Sequence, residues 1–268
     1  MTRACVVVPI YKPRLTDLEL VSWRQILKVL SGHDIYVVSP RGLRTHQAAD
    51  PTLSGVRRVY LADWYFKSIK RYNRLLMAER FYRRFTGYES ILLAQLDSFV
   101  FRDELNDWSK KSFGTIGAPW FKGWSNPEPD RTIMGVGNGG FCLRNVDQCL
   151  RVLGGVARFR TLRALLSSEK TVWQNAGDFF RHYLVYNYNV EPFLPRLNED
   201  IFWSTVVPAR FPDFRLPSID EAIAFSFEVS PEQLYRRNGN RLPFGCHGWW
   251  KYDPDFWKPF IEREGHVV

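Results

Sequence analysis

"ILLAQLDSFVF", Ile91 to Phe101, is aliphatic or aromatic at nearly every position and still carries Asp97 near its middle. A short apolar run of this kind reads as a strand buried on both faces, as in a parallel sheet covered by helices. Burying an unpaired carboxylate costs several kcal/mol or more, on the order of a domain's whole margin of stability. The sequence therefore predicts that Asp97 ends the aliphatic part of the strand and meets solvent, or that a positive charge faces it.

The flanking sequence supports the sheet. Upstream, "YNRLLMAERFYRRFTG" (Tyr72–Gly87) reads as a helix stopped by Gly87. "ACVVVPIY" (Ala4–Tyr11) is a β-branched strand ended by Pro13, and "TDLELVSWRQILKVLSG" follows as a helix. Thr16 and Glu19 form its capping box and Gly32 stops it. "DIYVVSP" (Asp34–Pro40) and "VRRVYL" (Val56–Leu61) are further strands. Downstream, "GTIGAPW" and "GFCLR" (Gly140–Arg144) are short strands around a Pro- and Gly-rich loop. Asn145 and Gln148 open a helix to about Val156, and more helices are expected at Val172–Tyr186 and Asp200–Val207. "AIAFSFEV" reads as a strand, and Ser230-Pro231 opens a last short helix. Strand–helix alternation without a linker or repeat predicts one α/β domain over residues 1–268, with a mostly parallel central sheet flanked by helices.

With 45% hydrophobic and 24% charged residues the composition is that of a globular protein. A formal charge of +9 favours polyanionic partners. The cations are scattered, with small clusters at Lys67–Arg74 and Glu79–Phe85 and no long basic arm. Phosphorylated ligands or a lipid headgroup surface therefore fit better than nucleic acid. Cys5, Cys142, Cys149 and Cys246 show no zinc spacing and read as reduced, buried thiols. The N-terminus lacks a leader-like apolar run and no stretch is long enough to span a bilayer, so a cytoplasmic protein is expected.

In open α/β sheets ligands bind beyond the carboxyl ends of the strands. Pro9-Ile10-Tyr11-Lys12, Asp97 and the glycine-rich Gly137-Asn138-Gly139-Gly140 stand at such places.

Taken in order, "VVVPIYKPRLTDLELVSWRQ", "YNRLLMAERFYRRFTGYESILLAQLDSFVFRDEL", "IGAPW", "GNGGFCLR", "NEDIFWS" and "PFGCHGWWKY" resemble a family of GT-A-like glycosyltransferases. Many members have no assigned function and lie near bacterial polysaccharide or lipopolysaccharide genes. The resemblance covers nearly the whole chain and rests most on "QLDSFVF" together with "GNGGFCLR". It implies a Rossmann-like GT-A domain, with residues 1–101 as the nucleotide-binding half and 102–268 as the acceptor-binding half. The implied activity moves a sugar from a nucleotide diphosphate, UDP-hexose or UDP-galactofuranose first, to a glycan or polyprenyl-linked glycan. The surplus positive charge is compatible with peripheral association at the inner face of a membrane.

The family's Asp-x-Asp metal signature stands here as Asp97-Ser98-Phe99, so the second carboxylate is absent. The resemblance implies a divalent ion, Mn²⁺ or Mg²⁺, on Asp97 and His247, with imidazole favouring Mn²⁺. The alternative is a metal-free site in which Lys12, Arg74 and Lys251 hold the diphosphate. Asp97 in a structural salt bridge and His247 as an ordinary hydrogen-bonded histidine are the plainer readings. In "NEDIFWS" the resemblance implies Asp200 as general base of an inverting transfer, with Glu199 as substitute; acidic residues at a helix start also need no functional reason. It places Pro9, Ile10 and Tyr11 at the nucleobase and Tyr72, Asn73 and Arg74 near the diphosphate or ribose. Asn138 and Gly139 fall at sugar hydroxyls, and Trp120, Trp249 and Trp250 in acceptor walls. Two other readings stand beside it: an inactive nucleotide- or glycan-binding protein on a transferase scaffold, and a nucleic-acid binder using the basic surface.

Overall fold

The first β-branched run forms β1 (Ala4–Pro9), buried along its whole length. In the computed structural model, which describes residues 4–45, 51–154, 171–178 and 198–268, it is a central strand of a six-stranded sheet. The capping box of Thr16 and Glu19 starts the helix Asp17–Val29, as the sequence predicts. β2 (Asp34–Pro40) and β3 (Arg57–Leu61) follow, and β4 (Ser90–Ala94) is buried throughout. β1 pairs in parallel with β2 and β4, and β2 with β3.

The apolar run that opened the sequence reading is two strands rather than one. β4 ends at Ala94, Gln95 to Asp97 turn, and β5 (Ser98–Val100) leaves for a second sheet. The turn is held by Gln95 N–H donating to Gly140 O (2.9 Å) and Ser98 N–H donating to Gln95 O (2.9 Å). Asp97 therefore sits at the carboxyl end of β4, within the break.

β6 (Thr115–Gly117), β7 (Pro119–Phe121), β8 (Ile133–Val136) and β9 (Phe141–Asn145) come next. β9 runs antiparallel to both β4 and β6, giving the order β3-β2-β1-β4-β9-β6. The sheet is thus parallel in its first four strands only. Side chains alternate between its faces: Cys5, Val7, Ile91, Leu93 and Cys142 enter one core, and Val6, Val8, Leu92, Ala94 and Leu143 the other. Both faces are covered, which explains why these strands read as continuous apolar runs. All four cysteines are buried, and none is in a disulfide.

Three further expectations change. The helix expected over Tyr72–Gly87 starts earlier, at Ile69 behind the N-cap Ser68, and breaks after Leu76 before resuming at Glu79–Tyr82. The Leu76 carbonyl accepts from Tyr82 OH (2.8 Å) and Trp203 Nε1 (3.1 Å), side-chain donors at the point where the helical ladder stops. "AIAFSFEV" is mostly the helix Ile219–Phe225, started by a capping box of Ser218 and Glu221, with only β10 (Ser226–Phe227) extended. Asp200–Val207 is a short turn, Glu199–Ile201, running into a π-helical segment, Phe202–Val206.

The helix after β9 spans Val146–Gly154, and positions 155–156 lie outside the described residues. Of the helix expected at Val172–Tyr186, Val172–Asp178 is present and 179–186 lie outside the described residues. The helix Pro231–Arg237 begins after Ser230, as expected. β11 (Gly245–His247) pairs with β10 and β5, and the helix Pro254–Arg263 closes the chain. Among the described residues no helix is long and apolar enough to cross a membrane.

Candidate active site

The second sheet brings the distant parts of the site together. β11 lies antiparallel to β5 with His247 opposite Ser98, which sets the imidazole beside Asp97. His247 Nε2 is 3.1 Å from Asp97 Oδ1, and Lys251 Nζ donates to Asp97 Oδ2. On its other side His247 Nδ1 is 2.7 Å from Glu228 Oε1, and Glu228 Oε2 accepts from Asn138 Nδ2 at 2.6 Å. Asn138 Oδ1 accepts the Gly140 N–H at 2.9 Å, tying the glycine-rich loop to the same network. A Cβ on Gly140 would overlap the His247 ring, so this position requires glycine for close approach.

Burial opposes charge on both Asp97 and His247, yet their mutual attraction prevails. Asp97 is held below the usual carboxylate range by His247 and Lys251, and His247 rises to about 10 through Asp97 and Glu228. The positive charge that the sequence required for Asp97 is therefore supplied by His247 and Lys251.

The donor set can be tested against a divalent ion. His247 Nε2 is buried and makes no well-directed hydrogen bond despite its closeness to Asp97. Two adjacent ligands of an octahedral ion at about 2.1 Å stand about 3.0 Å apart, close to the separation of Nε2 and Oδ1. Phe99, at the second position of the Asp-x-Asp pattern, is fully buried between Phe101, Trp249 and His266. Among the described residues no group of three or more His, Cys, Asp or Glu side chains could hold a metal. Once the imidazole gives up its Nε2 proton, Asp97 and His247 fit as two ligands of one ion, with the other positions left to ligand oxygens and water.

Two clefts flank this network. The first, about 620 Å³, is lined by Pro9, Tyr11, Phe66, Tyr72, Asn73 and Asp97, with Glu199, Trp250 and Lys251. The second, about 470 Å³, is lined by Trp120, Trp124, Asn138, Asn198, Asp200 and Glu228. They adjoin at the start of the Glu199–Ile201 turn, where neighbouring residues line different clefts: Glu199 the first, Asp200 the second. Asn73 Nδ2 donates to Asn198 Oδ1 (3.1 Å), fastening the turn to the helix Ile69–Leu76.

Glu199 is locked. Fully buried Arg144 on β9 pairs with its Oε2 and also donates to Tyr82 OH at 2.9 Å. A Cβ on Gly139 would overlap Glu199 Oε1. Burial raises Glu199 to about 7 against the pull of Arg144. Among the described residues Asp200 has no such ion pair; its Oδ1 accepts the Ile201 N–H at 2.8 Å, and burial raises its pKa. Of the two carboxylates, Asp200 is the one disposed to take up a proton from a ligand, while Glu199 is engaged in a buried ion pair.

Several expected site residues lie elsewhere. Ile10 is 1% exposed and packed in the core, so its side chain borders no ligand. Lys12 is paired with Glu19 at 2.7 Å, and Arg74 stacks over Trp64 at 5.7 Å; neither lines a cleft. Gly139 supplies space for Glu199 rather than a surface, and Trp249 is buried with its Nε1 donating to Ser22 Oγ (2.9 Å). Trp120 walls the second cleft and Trp250 the first. The first cleft draws Glu199, Trp250 and Lys251 from the half expected to bind acceptor. Sequence reasoning missed Glu228, Arg144 and Trp124. Glu228 carried the same signal as Asp97, a lone carboxylate inside the apolar run "AIAFSFEV".

A family described as "Protein of unknown function (DUF5672)" matches residues 55–247. No curated protein matches the sequence. Among solved structures, the galactosyltransferase LgtC in complex with donor and acceptor sugar analogs is 12% identical, with a TM-score of 0.49 over 98% of this chain and 97% of its own. Mouse xyloside xylosyltransferase 1 in its apo form is 11% identical, with a TM-score of 0.47 over 92% of this chain and 98% of its own. A glycosyltransferase involved in glycosylation of the major capsid of PBCV-1 is 12% identical, with a TM-score of 0.44 over 97% of this chain and 99% of its own. At such distances the chemistry of this chain has to be argued from its own side chains.

Proposed function

We propose, for a chain that belongs to the DUF5672 family of unknown function, that it is a glycosyltransferase using a nucleotide-diphosphate sugar. The observation that carries this reading is the pair of clefts meeting at Glu199 and Asp200, with cations and a candidate ion site on one side and an available carboxylate on the other. The resemblance of the sequence motifs to GT-A-like enzymes supports it.

In this reading the donor occupies the first cleft, its base beside Tyr11 and Phe66 and its diphosphate toward Asp97, His247 and Lys251. Asn73 reaches the ribose or diphosphate. Asp97 and His247 are the residues that would hold Mn²⁺ or Mg²⁺, which when bound neutralises charge on the leaving diphosphate. Lys251 adds a fixed positive charge to the same end of the cleft.

The acceptor enters the second cleft. Asp200 takes the proton of its hydroxyl while that oxygen forms a bond to the anomeric carbon. The bond from that carbon to the diphosphate oxygen breaks, its electron pair leaving with the nucleotide. Attack from the face opposite the leaving group inverts the anomeric centre. A UDP-hexose or UDP-galactofuranose is the first donor to try, and a glycan or polyprenyl-linked glycan the acceptor. The +9 charge supports work beside an anionic membrane surface.

A second reading, a nucleotide- or glycan-binding protein without turnover, is favoured by one observation: Phe99, at the position of the signature's second carboxylate, belongs to the core. One experiment separates the two. A nucleotide-sugar panel is titrated and assayed for slow hydrolysis with Mn²⁺, with Mg²⁺ and with chelator, on wild type, Asp97→Ala and His247→Ala. Metal-dependent binding and turnover of one donor, lost in both variants, is the expected result. Binding that ignores chelator removes the ion, binding without turnover supports the second reading, and no binding by any nucleotide sugar overturns the transferase reading and leaves only glycan binding of the second.

A further inference from the structure

The second cleft has a lining that chooses among acceptors. Among the described residues its charged members are Asp200 and Glu228, both carboxylates, the first half-buried and the second buried. The same cleft is also lined by Trp120, Phe121 and Trp124. Trp124 is 47% exposed, unusually open for an indole, and lies 5.4 Å from Trp120 at 54°. Its backbone is held at a left-handed φ of 57° by a turn in which its N–H donates to Phe121 O at 2.9 Å. Ser125, which accepts from Tyr252 OH at 3.1 Å, stands beside it with a hydroxyl on the cleft wall.

From this lining we infer that the cleft seats the terminal ring of an uncharged sugar, stacked on Trp124, and rejects acceptors carrying a carboxylate or phosphate at that ring. The inference rests on the transferase reading above and names its acceptor class. A pyranose has an apolar C–H face, which packs on an indole, and a rim of hydroxyls, which donate to carboxylate oxygens. Both kinds of group line this cleft. An added anion would stand near Asp200, which has no ion pair among the described residues, and beside Glu228, whose charge His247 offsets only in part; such like-charge contacts are disfavoured. The selectivity opposes the net charge of the protein; cations line the other cleft, as Lys67 and Lys251.

The test uses the full chain, with methyl hexopyranosides of gluco, galacto and manno configuration against the methyl hexopyranosiduronates of the same configurations. Binding is read by saturation-transfer NMR and tryptophan fluorescence, and nucleotide-sugar titrations run on the same samples. At least one neutral glycoside should bind about tenfold or more tighter than its uronate. Trp124→Ala should abolish that binding, and Asp200→Asn should bring the neutral and anionic forms to within about threefold. Equal or tighter binding of the uronate, neutral binding that survives Trp124→Ala, or no glycoside binding would each overturn the inference. If nucleotide sugars still bind in those cases, only the acceptor assignment falls. If glycosides behave as expected and no nucleotide sugar binds, the transferase reading falls while the cleft remains a sugar site.

Discussion

The two clefts share one wall and are built on opposite principles. Around the first, charge is paired within the protein: Asp97 with His247 and Lys251, Glu199 with Arg144. In the second, Glu228 is paired with His247, but Asp200 is half-buried with no ion pair among the described residues, and an exposed indole lines the same cleft. Burial raises both Glu199 and Asp200, but Glu199 is held by Arg144 and by the close approach of Gly139, whereas Asp200 is held only by the Ile201 N–H among the described residues and can turn to a ligand. Adjacent residues in "NEDIFWS" therefore have different work, although sequence alone offers them as near equivalents.

This contrast can be broken most sharply at Asp200. Asp200→Asn should lower the transfer rate about 10²–10⁴-fold while leaving the nucleotide-sugar Kd unchanged, read by single-turnover assay beside titration. A parallel loss of donor binding would place Asp200 with the first cleft and erase the distinction. Glu199→Ala should act on the fold instead, because it leaves the buried Arg144 guanidinium unpaired. A destabilisation of about 3–5 kcal/mol is expected from urea unfolding. A loss comparable to that of a surface substitution would show that the buried pair is dispensable.

The paired side has a pH signature. His247 rises from 6.5 to about 10, since burial is outweighed by Asp97 and Glu228. A raised base stabilises the fold fully below its unfolded value and loses that contribution as pH climbs through the folded one. The Tm advantage of wild type over Asp97→Asn should therefore shrink between about pH 6.5 and 10. A constant difference across that range would detach the imidazolium from Asp97. The smallest effect belongs to Trp124→Ala, which should change unfolding free energy by no more than about 0.5 kcal/mol in urea. A larger loss would make that indole part of the core instead of a ligand wall.

Much of the nucleotide-side scaffold was legible in the chain. β-branched runs, the Thr16–Glu19 capping box and Asp34–Pro40 appear where the local pattern puts them, because a two-faced core demands continuous apolar strands. Asp97 announced itself by being wrong for its surroundings. Local pattern failed where two elements of equal plausibility compete. "AIAFSFEV" has the composition of a strand, yet the Ser218–Glu221 capping box starts a helix through Phe225. The helix after Ser68 breaks at Leu76 because Trp203, distant in sequence, caps a carbonyl there.

Residue chemistry along the chain determined that a parallel sheet would form, that Asp97 would need a cation, and that glycines would cluster at a strand entrance. Tertiary structure alone decided which cations answer Asp97, that Glu199 is held by Arg144 while Asp200 is not, and that Trp124 rather than Trp249 presents its ring to a cleft. The reason is physical. A strand's burial follows from its own side chains, whereas the state of a carboxylate depends on charges and water exclusion supplied by segments more than a hundred residues away, such as Lys251 for Asp97.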